Sequence, residues 1–368
     1  MIKKHFRYFF IAVLLTLWLS PLSHAQTPAG EIPKNIILFI GDGMGLAHVT
    51  AAYIDQGGLN LEKFPHTGFV FTSSIDKFLP SSCGATTTLA TGVETKVDFV
   101  GLDASGRPVK TILEHAQEQG RGTGLISTSS LTDATPACFV AHLPSRAMDN
   151  RIAVALAQKD IDVLIGGGLA YFLPASDPRS ARRDNQDLVA VLAETHQIVT
   201  TADEFQALKK PAKLAAFLAL GDMPAVPLRR VSLSDMTRKA IEILAQNKNG
   251  FFLMIEASQI DWASHHGYGE DLIRETVDLD KAVGVALDFV KNRDDTLIIV
   301  ASDHETGGYV ILDGSVNNKK VTQSIFLTSG HSATMVPIFA KGPGGDVFSG
   351  IHRMEYIGRR LGEYILGK

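Results

Sequence analysis

The sequence Asn35-Ile-Ile-Leu-Phe-Ile-Gly-Asp42-Gly-Met-Gly45 joins an apolar run to an acidic turn. A continuous apolar run rich in β-branched residues predicts a strand buried on both faces of a parallel sheet. Binding sites in such sheets lie beyond the carboxyl ends of the strands. Asp42 is therefore a candidate site residue, although a Gly-Asp-Gly triplet is also typical of a plain turn in which Asp caps a helix.

Similar apolar runs recur along the chain and alternate with amphipathic segments. They lie at residues 123–128, 162–166, 251–256, 296–303 and 335–340. The clearest helical pattern spans residues 271–291, and residues 179–227 also read as helical covering structure. This alternation predicts an α/β fold, a three-layer sandwich whose central, largely parallel sheet has helices on both faces.

Residues 1–25 have the pattern of a cleaved export signal. Three basic residues precede an apolar core at residues 9–19, and Ser23-His-Ala25 offers a small-x-small cleavage site. We therefore expect a periplasmic or secreted protein with one domain over residues 26–368; an uncleaved N-terminal anchor is the alternative. No later stretch predicts a membrane span.

Charge and cysteine content exclude some classes of function. The formal net charge is −4, and it becomes −7 once the three basic residues of the leader are removed. An acidic balance argues against general nucleic-acid binding. Cys83 and Cys138 are too few for a disulfide framework. Whether they pair is left open, and two separate buried thiols are the simpler interpretation.

Acidic and imidazole side chains cluster after two of the predicted strands. Glu256 ends one strand, and Asp261 and His265 follow it at a spacing of four, which places two metal ligands on one helical face. Asp303 and His304 follow another strand, where an adjacent carboxylate and imidazole can turn toward one cation. A surface turn is the alternative for this second pair.

These motifs, taken with three others, resemble the alkaline phosphatase family. The chain carries, in order, Gly41-Asp-Gly-Met-Gly, Ser82 with Thr91-Gly-Val, Thr132-Asp-Ala-Thr-Pro, Glu256 to His265, and Asp303-His304. Their joint occurrence from about Asn35 to the C-terminus makes the resemblance specific. It implies a single catalytic domain with a reduced insertion around residues 305–330, and hydrolysis of a broad range of phosphate monoesters through a phosphoserine.

The resemblance also implies two zinc ions and one magnesium ion. One zinc would be held by Asp261, His265 and His331. The other zinc would be held by Asp42, Asp303 and His304. Magnesium would share Asp42 and take Thr135 and Glu256. This allocation gives the imidazoles to zinc and only hard oxygen atoms to magnesium, as each ion prefers.

By the same resemblance, Ser82 is the nucleophile and Arg146 the phosphate clamp. Ser82 lies where a loop turns into a helix, whose N-terminus favours an anion, and the adjacent Ser81 leaves a one-residue alternative in register. Asp133 is expected beside the magnesium, hydrogen-bonded to its waters or to Arg146. Ser81 stands where the family commonly has Asp, so we expect a less constrained Arg146 and easier phosphate release.

Several alternatives remain open at this point. A phosphodiesterase of the same superfamily would share this core, and the serine at position 81 would also suit a catalytically weak metal- or phosphate-binding protein. The expected partners are small-molecule phosphate monoesters, and the oligomeric state is open between monomer and homodimer. Trp262 either packs against neighbouring side chains or stacks on aromatic leaving groups.

Overall fold

A computed structural model describes residues Ile32–Lys368. The predicted signal peptide at residues 1–25 lies outside the described residues. Among the residues that are described, no helix is both long and apolar enough to cross a membrane.

The apolar runs of the sequence form buried strands. The described residues contain β1 (Asn35–Gly41), β2 (His66–Phe71), β3 (Gly122–Ser130), β4 (Val163–Gly167), β5 (Gln197–Val199), β6 (Leu214–Phe217), β7 (Phe251–Ala257), β8 (Thr296–Ala301), β9 (Glu305–Thr306), β10 (Tyr309–Ser315), β11 (Lys320–Phe326), β12 (His331–Ser332), β13 (Val336–Lys341) and β14 (Gly350–Arg353).

Ten of these strands make one central sheet, in the order β14-β2-β13-β8-β1-β7-β3-β4-β6-β5. Only β13 runs antiparallel to its neighbours in the described sheet; the other pairs are parallel. All six runs predicted as strands lie in this sheet, and the predicted α/β class is confirmed.

Helices fill the connections between the strands. They are α1 (Leu46–Gln56), α2 (Ser82–Thr91), α3 (Ile112–Glu118), α4 (Ala134–Cys138), α5 (Asp149–Gln158), α6 (Leu188–Ala193), α7 (Ala202–Ala207), α8 (Leu233–Leu244), α9 (Gln259–His265), α10 (Gly269–Phe289) and α11 (Met354–Ile365).

Alternate residues of β1 show that both faces of the sheet are covered. Ile36, Leu38 and Ile40 pack into one apolar core, which includes residues of α2, α3, α5 and α11. Ile37 and Phe39 pack into a second core on the other face, with residues of α8 and α10. All five side chains are fully buried, and each contributes roughly 1.5–3 kcal/mol of transfer free energy.

The interpretation of residues 179–227 as helical covering structure is wrong in part. This stretch contains α6 and α7, but it also supplies β5 and β6 at one edge of the sheet. The strands were missed because they are only 3 and 4 residues long, which is too short for a pattern of period two to be distinguished from a helical one.

Candidate active site

The parallel sheet brings the predicted acidic residues to one edge. In the register of the strands, Ile40 of β1 lies opposite Glu256 of β7 and Ala301 of β8. Asp42 and Asp303 each follow their strand by two residues or fewer. Because the three chain segments run in the same direction, their carboxyl ends meet at one place.

A first candidate metal group joins α9 to the segment before β13. Asp261, His265 and His331 place one ligand atom each within 4.8 Å of one another. Asp261 and His265 lie one turn apart on α9, and Nε2 of His265 is 3.2 Å from Oδ2 of Asp261. His331 reaches this group because β12 pairs with β9, so that His331 lies opposite Thr306.

Hydrogen bonds orient the histidine rings for metal binding. Nδ1 of His265 lies 2.6 Å from the carbonyl of Ser329, and Nδ1 of His331 lies 2.9 Å from the carbonyl of Pro80. A carbonyl only accepts, so both rings carry their proton on Nδ1. Nε2 is therefore the nitrogen of each ring that is directed at the group, and it is the atom that could bind a metal after losing any proton it carries.

A second group surrounds His304, which is fully buried. Asp42, Asp261 and His304 form a candidate metal group, and Nε2 of His304 is 3.4 Å from Oδ1 of Asp42 and 3.3 Å from Oδ2 of Asp303. Asp261 thus borders both groups. The rings of His304 and His331 stack with centroids 3.6 Å apart, so the two groups form one continuous centre.

Thr306 links the two groups through its hydroxyl, and sequence analysis missed it. Its Oγ1 donates to Oδ1 of Asp261 and lies 3.2 Å from Nδ1 of His304. Since the single hydroxyl proton is given to the carboxylate, Nδ1 of His304 is the donor in the second bond. Its position two residues after the predicted ligand His304 is the sequence feature that could have identified it.

Three buried oxygen atoms without a hydrogen-bond partner mark a third site. They belong to the three residues predicted to hold magnesium, and are Oδ1 of Asp42, Oγ1 of Thr135 and Oε1 of Glu256. Oδ2 of Asp303 is also unpartnered. A buried polar atom without a partner is costly, and a bound cation would satisfy these oxygens. The donor set therefore fits hard cations.

The pKa values of the buried carboxyl groups show that this part of the centre lacks positive charge. Burial, together with the charge of Asp133, raises the pKa of Glu256 to about 8, and burial with the charge of Asp261 raises that of Asp303 to about 6. The pKa of Asp42 is raised by burial and by Asp303. Buried carboxylates that repel one another in this way are neutralised by protons or by metal ions.

Ser82 opens α2 and points into this centre. Its Oγ is 3.1 Å from Nε2 of His304, and the residue is buried. The backbone of α2 places the hydroxyl at the positive end of the helix dipole, which favours an anion. Ser82 therefore lies against the predicted ligands, whereas Oγ of Ser81 bonds to backbone atoms.

Ser81 caps α2, and Arg146 has another carboxylate partner. Oγ of Ser81 accepts from the backbone N–H of Gly84 at 3.1 Å and donates to the carbonyl of Val97. Nη2 of Arg146 donates to Oδ1 of Asp133. Asp133, with Asp42, raises the pKa of Arg146 despite the opposing effect of burial. The serine at position 81 does not leave Arg146 without a carboxylate.

Cys83 and Cys138 face each other in the packed layer behind Ser82. Both are buried free thiols, and their Sγ atoms are 3.8 Å apart. Oγ1 of Thr87 also lies 3.1 Å from Sγ of Cys138. They join α2 to α4 through side-chain packing and contribute no ligand to the metal groups found in the described residues.

Comparisons with known proteins identify the family. The sequence model of the family described as alkaline phosphatase matches residues 33–324. Alkaline phosphatase 4 of Bacillus subtilis is 36% identical over 297 residues, which cover 76% of this chain and 62% of that protein. Alkaline phosphatase H of Pseudomonas aeruginosa is 33% identical over 78% of this chain and 72% of its own length. The chain thus spans less than two thirds of the first of these relatives.

Solved structures match over more of their length. The alkaline phosphatase of the Antarctic bacterium TAB5 is 35% identical, with a TM-score of 0.84 over 92% of this chain and 99% of that one. A variant of the TAB5 enzyme with Mg bound is 36% identical, with a TM-score of 0.83 and the same coverage. His331 lies beyond the residues that the family model matches, so its assignment rests on its contacts.

Proposed function

Because the chain belongs to the alkaline phosphatase family, we propose that it hydrolyses phosphate monoesters through a phosphoserine on Ser82. The observation that carries this proposal is the contact between Ser82 and the ligand cluster, in which Oγ lies 3.1 Å from Nε2 of His304. A serine hydroxyl is a weak nucleophile unless a base or a metal activates it.

The cofactors in this proposal are two zinc ions and one magnesium ion. Asp261, His265 and His331 would hold one zinc, with Asp42, Asp303 and His304 holding the other. Asp42, Thr135 and Glu256 would hold magnesium. When bound, these ions would lower the pKa of the serine hydroxyl and of an attacking water, and would neutralise negative charge on the phosphoryl group and the leaving alkoxide.

The side chains of the site position the phosphoryl group. Ser82 attacks phosphorus in line, the alcohol leaves, and a phosphoserine ester remains. Arg146 is held by Asp133 and interacts electrostatically with Asp42, and its planar donors suit two phosphoryl oxygens. Water then attacks the phosphoserine and releases inorganic phosphate. Because these contacts involve only the phosphoryl group, we expect the protein to hydrolyse monoesters of a broad range of alcohols.

The test compares three esters of one chromogenic alcohol: the phosphate monoester, the phosphate diester and the sulfate ester. We expect strong preference for the monoester with zinc and magnesium present. Preference for the diester would assign the protein to a phosphodiesterase, and turnover of none of the three would indicate a binding protein.

A matched pair of serine variants tests the nucleophile. Ser82→Ala should abolish incorporation of labelled phosphate at mildly acidic pH, while Ser81→Ala should retain it. Label on Ser81 in the Ser82→Ala protein would place the nucleophile one residue earlier. Zinc content of both variants should equal that of the unmodified protein, which separates loss of the nucleophile from loss of the site.

Export is part of the proposal, because residues 1–25 combine basic residues, an apolar core and a cleavage site. N-terminal sequencing of the protein recovered from outside the cytoplasm should begin at Gln26. An intact N-terminus on the recovered protein would favour an uncleaved anchor.

A further inference from the structure

Strand β3 ends in a run of hydroxyl residues, Ser127-Thr-Ser-Ser130, that the mechanism above does not use. Ser127 and Ser129 are fully buried, as is Ser258 on the neighbouring segment after β7. Oγ of Ser127 is 2.7 Å from Oγ of Ser129 and 3.0 Å from Oγ of Ser258. Buried hydroxyls inside a sheet are costly unless they form hydrogen bonds. Glu256 is the carboxylate next to them.

Ser127 forms a hydrogen bond to one oxygen of Glu256. Its Oγ donates to Oε2 of Glu256 at 2.6 Å and accepts from the backbone N–H of Ser129 at 2.9 Å. Because Oγ of Ser127 is the acceptor in its bond with the N–H of Ser129, its own proton is available to the carboxylate. This pairing follows from the register of the sheet, because Ser127 lies directly opposite Glu256 where β3 pairs with β7.

The other oxygen of Glu256 remains free. Oε1 is buried without a hydrogen-bond partner, as are Oγ1 of Thr135 and Oδ1 of Asp42. Glu256 therefore presents a single oxygen to the site that it shares with these two residues. A carboxylate held in this way favours binding through one oxygen.

We infer that Ser127 is a positioning residue that makes the third site select magnesium over calcium by holding Glu256 monodentate. Calcium takes six to eight oxygen atoms and often uses both oxygens of a carboxylate, whereas magnesium takes near-octahedral sets of single oxygens and waters. Bidentate binding by Glu256 would draw Oε2 toward the ion and would compete with the hydrogen bond that this oxygen accepts from Ser127. This inference rests on the proposed function, which assigns magnesium to the third site.

The size of the effect follows from the strength of the hydrogen bond with which bidentate calcium binding would compete. A hydrogen bond to a charged group corresponds to about a 10- to 100-fold change in an equilibrium constant. Without Ser127, Oε2 of Glu256 would lose its hydrogen bond and could turn toward the ion. Calcium binding should then strengthen and magnesium binding weaken, so that their ratio changes more than either affinity.

The experiment measures both affinities in the zinc-loaded, full-length mature protein. After the third site is stripped of metal by dialysis against a zinc buffer, Mg²⁺ and Ca²⁺ are titrated separately by calorimetry. The unmodified protein should bind Mg²⁺ at least tenfold more tightly than Ca²⁺. In Ser127→Ala this ratio should fall at least tenfold, whereas in Ser129→Ala, a buried serine that does not bond to Glu256, it should stay within threefold.

Zinc content, measured on each protein, reports whether the rest of the centre is intact. An unchanged ratio in a zinc-loaded Ser127→Ala protein would overturn the inference. Calcium binding as tight as magnesium binding in the unmodified protein would overturn it as well, even if the variant failed to fold. Binding of neither cation by the unmodified zinc-loaded protein would overturn the magnesium assignment together with this inference, whereas an unchanged ratio overturns the inference alone.

Discussion

Nη2 of Arg146 donates a hydrogen bond to Oδ1 of Asp133. Asp133 also accepts from the backbone N–H of Ala134 at 2.7 Å and caps α4, so the carboxylate is itself fixed to the fold. The Arg146 side chain keeps 42% of its surface exposed. Asp133 is therefore its main restraint before phosphate binds.

Removal of this restraint should weaken phosphate binding. In Asp133→Ala, Arg146 must be immobilised when phosphate binds, which costs about 1–2 kcal/mol of side-chain entropy. We expect the inhibition constant of inorganic phosphate to rise about tenfold, and Asp133→Asn, which keeps an acceptor oxygen, to have a smaller effect. Steady-state inhibition measures both, and unchanged phosphate affinity in Asp133→Ala would show that Arg146 has another restraint.

Ser81→Ala should affect stability rather than phosphate binding. Loss of the side-chain cap of α2 should lower the free energy of unfolding by about 1 kcal/mol. The phosphate inhibition constant should stay within twofold, because Ser81 bonds only to the backbone of Gly84 and Val97. Denaturant unfolding and inhibition are measured on the same preparation. A large change in the inhibition constant with unchanged stability would mean that Ser81 acts on Arg146 after all.

The sequence was most informative where function and local pattern coincide. Apolar runs that end in Asp42, Glu256 and Asp303 predicted both the parallel strands and the edge at which the site lies. The spacing of Asp261 and His265 predicted their shared helical face. These signals are local, because period and spacing reflect backbone geometry over only a few residues.

Features that depend on long-range pairing could not be predicted in the same way. His331 reaches the centre only because two-residue strands pair at Thr306. The partner of Arg146 depends on how the chain returns after α4. The contact between Ser127 and Glu256 depends on the register of strands 129 residues apart in the sequence. No periodicity in a single sequence specifies such a register.

Metal content should distinguish the two zinc groups. Asp42→Ala removes a carboxylate that faces His304 and also carries one of the unpartnered oxygens of the third site, so we expect loss of one zinc and of magnesium. His331→Ala removes a ligand only from the group formed by Asp261, His265 and His331. It should therefore release the other zinc while magnesium is kept. Elemental analysis after dialysis tests this, and the same single loss in both variants would contradict the assignment.

Thr306→Val should loosen both zinc groups at once. The substitution keeps the shape of the side chain, but it removes the donor to Asp261 and the acceptor for Nδ1 of His304. Loss of such outer hydrogen bonds typically lowers metal affinity about 10- to 100-fold. Competition with a zinc chelator measures the loss, and Thr306→Ser should restore affinity. If Val and Ser variants retain zinc equally well, the hydroxyl does not orient the ligands.

An ion pair outside the site should give a pH-dependent contribution to stability. Nε2 of His142 lies 3.0 Å from Oε1 of Glu114, and its Nδ1 lies 2.7 Å from the carbonyl of Gly101. Both ring nitrogens therefore face acceptors, which favours the doubly protonated ring. The hydrogen bond to Glu114 raises the pKa of His142 despite burial. Burial raises the pKa of Glu114, but the bonds from His142 and Lys159 outweigh it and hold that pKa at about 2.

His142→Gln should therefore destabilise the protein most at mildly acidic pH. The folded pKa of His142 lies above its ordinary value of 6.5, so its contribution is complete below pH 6.5 and is lost as the pH rises through the raised value. We expect a deficit of about 1–2 kcal/mol at pH 6 that shrinks toward pH 9. Metal release affects wild type and variant alike, so the difference between their unfolding curves isolates His142. His352→Gln is the control, because it loses a contact to the carbonyl of Ser349 and the stacking of its ring on Tyr356 but no bond to a carboxylate. A deficit for His142→Gln that does not vary with pH would show that the ring contributes by packing alone.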